Sequence, residues 1–149
     1  MVAEPYSGFA QRYNMILGIL ISAFSTNILF LIIPIGLFFM ADIFLIVGSC
    51  FGLYFTFRYR KESQSHIKTG MIVGLVSSIL SLFLISCFDW IFYFIPGGYG
   101  FDFLLFLEYT LYLFMYFGIF YVTVGLILGY FFGYIYRKKE DTNYKSSQF

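Results

Sequence analysis

The chain has 149 residues, 60% of them hydrophobic and 11% charged, with a formal net charge of +1 and a mean hydropathy of +0.84. Soluble globular domains carry roughly 25% charged residues, so this composition excludes an ordinary soluble domain and points to a membrane protein. The near-neutral balance also excludes the basic stripe of a general nucleic-acid binder, and the length suits one domain of about four spans of roughly 20 residues.

In chain order, the first polar stretch contains Arg12 and precedes an apolar run that extends from Tyr13 almost unbroken to Phe57. As one helix that run would be about 68 Å long at 1.5 Å per residue, twice a bilayer core of roughly 30 Å. A break is required, and Pro34-Ile35-Gly36 and Ala41-Asp42 are the candidates. Breaking at Pro34 gives two spans, 13–33 and 37–57, of about 31 Å each, whereas breaking at Asp42 leaves a second span of only about 22 Å. Pro34 also lacks the amide that would continue a helix, and Gly36 permits a turn. The stretch Met15 to Ser22 followed by Ala23-Phe24-Ser25 has the outline of a signal-peptide core. The apolar run resumes at Ile28, however, and makes a full span.

Residues 58–69 form the internal polar loop, with Arg58, Arg60, Lys61, Lys68, Glu62 and the sole histidine, His66, which is expected to be solvated. A third span follows over 70–88. Asp89-Trp90-Ile91-Phe92-Tyr93-Phe94-Ile95 then has the aromatic content of a headgroup region, and Pro96-Gly97-Gly98-Tyr99-Gly100 is expected to end any helix. The segment 89–111 is read as interfacial, its later part alternatively as a helical extension. A fourth span covers 112–136, and 137–149 is a polar, mobile tail. Gly98-Tyr99-Gly100 matches the core of potassium-channel filters over three residues only, lacks the preceding Thr-Val, and reads as a glycine-rich turn.

This partition places all nine Lys and Arg residues, the four of the loop with Arg12, Arg137, Lys138, Lys139 and Lys145, on one face of the bilayer. By the positive-inside rule that face is cytoplasmic. The expected fold is therefore all-α: a polytopic, multi-pass protein of the cell membrane. Its four transmembrane helices form two antiparallel hairpins, and both termini are cytoplasmic. The expected partners are the lipid bilayer, with anionic headgroups at the basic face, and a second copy or another membrane protein. Cys50 and Cys87 lie at opposite depths in this topology, which argues against a disulfide between them.

Each span carries a row of small residues at spacings of three, four or seven, which share one helix face. These are Gly18, Ser22 and Ser25; Gly48 and Gly52; Gly70, Gly74, Ser78 and Ser81; and Gly125, Gly129 and Gly133. Lipid gives helices little hydrophobic reason to associate, so such rows are expected at the helix contacts. Gly52 matches Gly74 in depth, and Gly48 matches Ser78, the pairing that the second and third spans would need.

Acidic groups within a membrane are costly and are functional candidates by default. Asp42, Asn27, Asp89 and Glu108 are the candidate polar or ion-contacting residues, and Asp102 joins the acids on the outer face. Against a functional role, each acid lies near enough to the interface to reach water, and Asn27 suits an interhelical hydrogen bond. No nucleophile is paired with a base, no metal-ligating set occurs, and no nucleotide or cofactor fingerprint is present, so no cofactor is expected. The leading functional expectation is a non-enzymatic accessory or structural membrane protein that acts through helix packing. The alternative is a small transporter or channel component with an outer acidic mouth.

Overall fold

The computed structural model describes the backbone of residues 5–32, 41–61 and 64–146, and the side chains within them at 8–28, 43–61, 64–140 and 142. The fold is all-α. Five α-helices run in the order α1 (Pro5–Arg12), α2 (Asn14–Ile32), α3 (Ala41–Arg58), α4 (His66–Asp89) and α5 (Phe103–Ser146), and a π-helical segment, Trp90–Tyr99, prolongs α4. By length and composition, His66–Tyr99 and Phe103–Glu140 could each cross a membrane. The expected break at Pro34 lies outside the described residues.

Helix boundaries follow local chemistry. Pro5 opens α1, where its missing amide costs nothing. The chain bends at Tyr13, but its amide still bonds the Phe9 carbonyl at 3.0 Å, so α1 leads directly into α2. Asp102 caps α5 by accepting from the amides of Leu104 (2.9 Å) and Leu105 (3.2 Å), which satisfies two of the orphan donors at a helix start.

Two expectations change, at the basic loop and at the tail. The basic loop is shorter than 58–69, because α3 includes Arg58 and α4 begins at His66. The run 96–100 does end the helix, as expected: wider π turns pass Pro96, and Gly98 leaves helical values at φ 92°. The tail does not leave the helix at Arg137: α5 is 44 residues long and includes 103–111 and 137–146. Thr142 supports that extension by donating its hydroxyl to the Lys138 carbonyl at 2.9 Å.

Helix α4 is the central element. It packs most extensively on α5 and also against α2 and α3, while α3 touches α2, α4 and α5. Toward the cationic end the core is Leu53, Phe57 and Val73, flanked by Met15, Ile19, Leu128, Phe132 and Tyr136. Toward the other end it is Leu45, Leu82, Ile85, Leu113 and Tyr121. Beyond it Trp90, 3% exposed, stacks on Phe94 at 5.0 Å and meets the edge of Phe106 at 5.7 Å.

The small residues lie where backbones meet. A Cβ on Gly70 would strike the Gly129 carbonyl and one on Gly129 the Gly70 carbonyl; Gly74 and Gly125 are related in the same reciprocal way, with Ser78 beside Gly125. Gly133 faces His66 and Ile67. On the other pair of helices, Gly18 faces Thr56 and Gly52, Gly48 faces Thr26 and Ser22, and Gly52 faces Gly18 and Ser22. The close approaches therefore run between α2 and α3 and between α4 and α5. The nearest neighbours of Gly52 are on α2 and those of Gly74 on α5, so these two glycines do not meet each other.

Because backbone carbonyls, joined at Gly125 by the short Ser78 side chain, occupy that space, Gly125→Leu or Gly70→Leu is expected to destabilise the fold by at least the ~1–3 kcal/mol typical of overpacking. Gly97→Ala, whose nearest neighbour would be the Tyr99 ring at 3.8 Å, should leave the melting temperature in detergent unchanged. Equal melting of the three variants would contradict this packing.

Candidate functional site

Of the three sequence candidates whose side chains are described, Asn27 is the most enclosed, at 1% exposure. Its Nδ2 donates to the Ala23 carbonyl one turn back (2.7 Å) and more distantly to the Ser81 carbonyl of α4 (3.4 Å). Among the described residues its Oδ1 has no partner, and neither do the buried hydroxyls of Ser22, Ser49 and Ser81. Asp89, at the end of α4, accepts a hydrogen bond at 2.6 Å from the Tyr109 hydroxyl of α5. Glu108, one residue earlier on α5, is exposed. Asp42 lies in the first turn of α3, and its side chain is outside the described residues. No hydrogen bond or ion pair joins any two of these candidates among the described residues.

One turn inward from the Asp89–Tyr109 bond, the Thr110 hydroxyl donates to Ser86 Oγ at 3.3 Å, and Ser86 donates to the Phe83 carbonyl at 2.7 Å. Next to them a small, largely apolar groove of about 250 Å³ is lined by Cys87, Trp90, Ile91, Phe101, Phe103 and Phe106, with Asp102 at its edge. Asp102 already caps α5, so its carboxylate is part of the frame.

The cationic end holds two constellations absent from the sequence reading. Asn14, 1% exposed, forms a reciprocal amide pair with Gln64: its Nδ2 donates to Gln64 Oε1 at 3.0 Å, and Gln64 Nε2 donates back to its Oδ1 at 3.3 Å. Asn14 Nδ2 also donates to the Thr56 carbonyl at 3.2 Å. The start of α2 is thereby bonded to both the loop and the end of α3.

In the second constellation, Glu140 of α5 accepts from Arg60 at 2.8 Å and contacts His66 Nε2 at 2.6 Å. Arg60 further donates to the carbonyls of Lys61 (2.9 Å) and Gln64. His66 is therefore not a solvated loop residue: its ring is largely covered and stacks beside Phe57 at 6.3 Å. No local signal marks this cluster, because Arg60 and Glu140 are 80 residues apart. The one available hint is an acid between basic residues at the spacing of a continuing helix.

Among the described residues, no three His, Cys, Asp or Glu side chains come together as metal ligands. Chemically, the arrangement joins elements: the Asp89–Tyr109, Ser86–Thr110, Asn27–Ser81, Asn14–Thr56, Asn14–Gln64 and Arg60–Glu140–His66 contacts each link two or more of them, and the remaining polar contacts close on their own helix or loop. No protein-family model matches the chain, and no curated protein or solved structure matches it.

Removing the Tyr109 hydroxyl should leave the Asp89 carboxylate without its donor. Tyr109→Phe is expected to lower stability by about 1.5–3 kcal/mol, the range for a hydrogen bond to a charged group, as read from melting in detergent. Glu140→Gln should act locally. A half-exposed ion pair contributes only ~0.2–1 kcal/mol, so trypsin should cut at Arg137–Lys139 at most about fivefold faster while the global melting point hardly moves.

Proposed function

We propose that the chain is a non-enzymatic integral membrane protein with four spans arranged as two antiparallel hairpins. Both termini and the basic loop lie on the cytoplasmic side of the cell membrane. It acts as an accessory or structural component through helix packing, with a second copy or with a partner membrane protein.

The observation that carries this reading is the inverted distribution of side chains. Asn14, Ser22, Thr26, Asn27, Ser49, Thr56, Ser77, Ser78 and Ser81 are buried, while Ile16, Phe24 and Ile28 of α2, Ile43 and Phe51 of α3, and Ile72, Ile79 and Phe83 of α4 are exposed. On α5 the exposure reaches 78% at Met115 and 79% at Ile119. Contiguous apolar surface of this extent belongs in hydrocarbon or against another apolar helix. Exposed α2 and α3 flanks extend the argument to all four long helices, and at 19 and 18 residues both fall within the ~17–25 that a span requires. Packing is preferred to chemistry as the function because most of the polar side chains in the described interior, among them Asn14, Thr26, Thr56, Ser77, Ser78, Ser86 and Thr110, bond a neighbouring helix or their own.

The transport alternative draws on one observation, the unpartnered oxygens of Ser22, Asn27, Ser49 and Ser81. It requires an open polar path to the outer acids, of which Asp89 is already bound to Tyr109.

Two measurements test the proposal in the full-length protein. With Cys50 and Cys87 replaced by Ser, Gln64→Cys and Thr142→Cys should react with an impermeant maleimide from one face of sealed vesicles and Gly98→Cys from the other. In mild detergent, light scattering should give a protein mass above the 17.4 kDa of one chain. Labelling of all three from one face would refute the topology. A clean monomer with nothing bound would refute action through packing with other chains.

A further inference from the structure

The cations at the basic end are not equivalent. Arg60 is held by Glu140, Arg12 lies over the Tyr13 ring at 5.5 Å, and Arg58 lies over the Tyr59 ring at 5.8 Å with Tyr54 Oη also at 3.5 Å. Lys138 and Lys139 differ in their place: like Lys61, Lys68 and Arg137, neither has a side-chain hydrogen bond or ion pair with a described residue, but these two together line a shallow, open groove on the surface of α5. That groove, of about 450 Å³, is completed by Phe131, Tyr134, Ile135 and Thr142. The six positions recur at steps of three and one, the repeat that keeps residues on a single helix stripe. Along the stripe the chemistry changes in order, from the exposed apolar Phe131, Tyr134 and Ile135 to two ammonium groups and a hydroxyl.

We propose that this stripe of α5 is a binding site for one anionic phospholipid of the leaflet at the cationic end, its acyl chain lying along Phe131, Tyr134 and Ile135 and its phosphate between Lys138 and Lys139. The charge complementarity is specific to an anionic headgroup, since two adjacent ammonium groups oppose the choline of a zwitterionic one. Lysine stems can cover the apolar floor while their heads reach the headgroup level. The negative end of the helix dipole does not oppose the phosphate strongly, because that field fades within the last turn and α5 continues to Ser146. Glu140 does not compete, being committed to Arg60 and His66 on another side of the helix.

The site rests on the membrane reading above, and its test separates the two. Full-length protein is reconstituted into vesicles of phosphatidylcholine with one fifth phosphatidylglycerol, extracted gently, and examined by native mass spectrometry for retained lipid. Wild type should retain one phosphatidylglycerol in preference to phosphatidylcholine. The Lys138→Gln/Lys139→Gln double variant should lose retention by about 30-fold, taking ~1 kcal/mol per lysine near an anionic leaflet. An Arg12→Gln/Lys68→Gln variant, with the same loss of charge on the same face, should retain it. Equal loss in both double variants would mean a diffuse surface potential and overturn the site, as would equal retention of the two lipids by wild type. Resistance of wild type and variants to carbonate extraction from the vesicles checks insertion separately. Inserted protein without lipid preference overturns the site alone, whereas failure to insert overturns the membrane reading and the site with it.

Discussion

The distance between α4 and α5 is set by glycine, at positions where each helix presents a bare backbone to the carbonyl oxygens of the other. Gly70 with Gly129 and Gly74 with Gly125 bring main chains together so closely that neither partner has room for a Cβ. At that separation Cα–H groups reach carbonyl oxygens, and dispersion contacts accumulate along the whole seam. Helix α4 also carries the contacts to α2 and α3, so its spacing from α5 propagates through the bundle. A wider seam would leave the larger side chains of the cationic-end core, Leu53, Phe57 and Val73 on one side and Leu128 and Phe132 on the other, without the surfaces they fill.

Close backbones also explain why the interior is polar. Side chains that fit between such helices are small, and the small ones beyond glycine and alanine are Ser and Thr. Four of their hydroxyls fold back onto their own helix: Thr26 onto the Ser22 carbonyl, Thr56 onto Gly52, and Ser77 and Ser78 onto Gly74. A hydroxyl so engaged needs no water and adds little bulk. Asn is larger, and it appears at the two places where a helix must bond to a neighbour, Asn27 toward α4 and Asn14 toward the loop and α3. In an environment without water such bonds are worth ~0.6–2 kcal/mol each, comparable to a good packing contact.

Features carried by composition over a whole helix length were legible in the sequence, whereas those requiring knowledge of which helix faces which were not. The all-α class and the two long apolar helices follow from runs of Phe, Leu, Ile and Tyr that no other element could accommodate. Spacing places Gly70 and Gly74 on one face, but it does not say whether that face meets α3 or α5, because depth alone matches a glycine to several partners. Polarity misleads at the ends: Arg137-Lys138-Lys139-Glu140 reads as a departing tail, yet Arg, Lys and Glu are good helix formers and nothing there breaks α5. The run 96–100 reads correctly as the end of its helix, because Gly98 takes a positive φ of 92° that a continuing helix does not allow. Residues 60 and 140 show the limit most plainly, for their pairing depends on α5 returning to the basic loop, and the acid at 140 hints at a continuing helix without naming its partner.

The distribution of constraints within the bundle decides where its adaptable surface lies. At the cationic end Asn14–Gln64 and Arg60–Glu140–His66 bind the loop to α2 and α5; at the other end Trp90, Phe94, Phe106 and the Asp89–Tyr109 bond hold the end of α4 to the beginning of α5. Glycine seams fix the length between these ends. Such an interior has little freedom to rearrange, because any shift would break polar contacts at one end or force backbones apart in the middle. The freedom that remains is external. It is greatest on α5, whose face through Leu111, Met115, Ile119 and Ile127 has no partner among the described residues. In the membrane setting proposed above, lipid and neighbouring helices compete for that face on nearly equal hydrophobic terms, so shape and charge decide between them. The broad aromatic and aliphatic stretch supplies shape, and its chemistry changes abruptly at both ends, at Glu108 and where Ile135 gives way to Lys138 and Lys139.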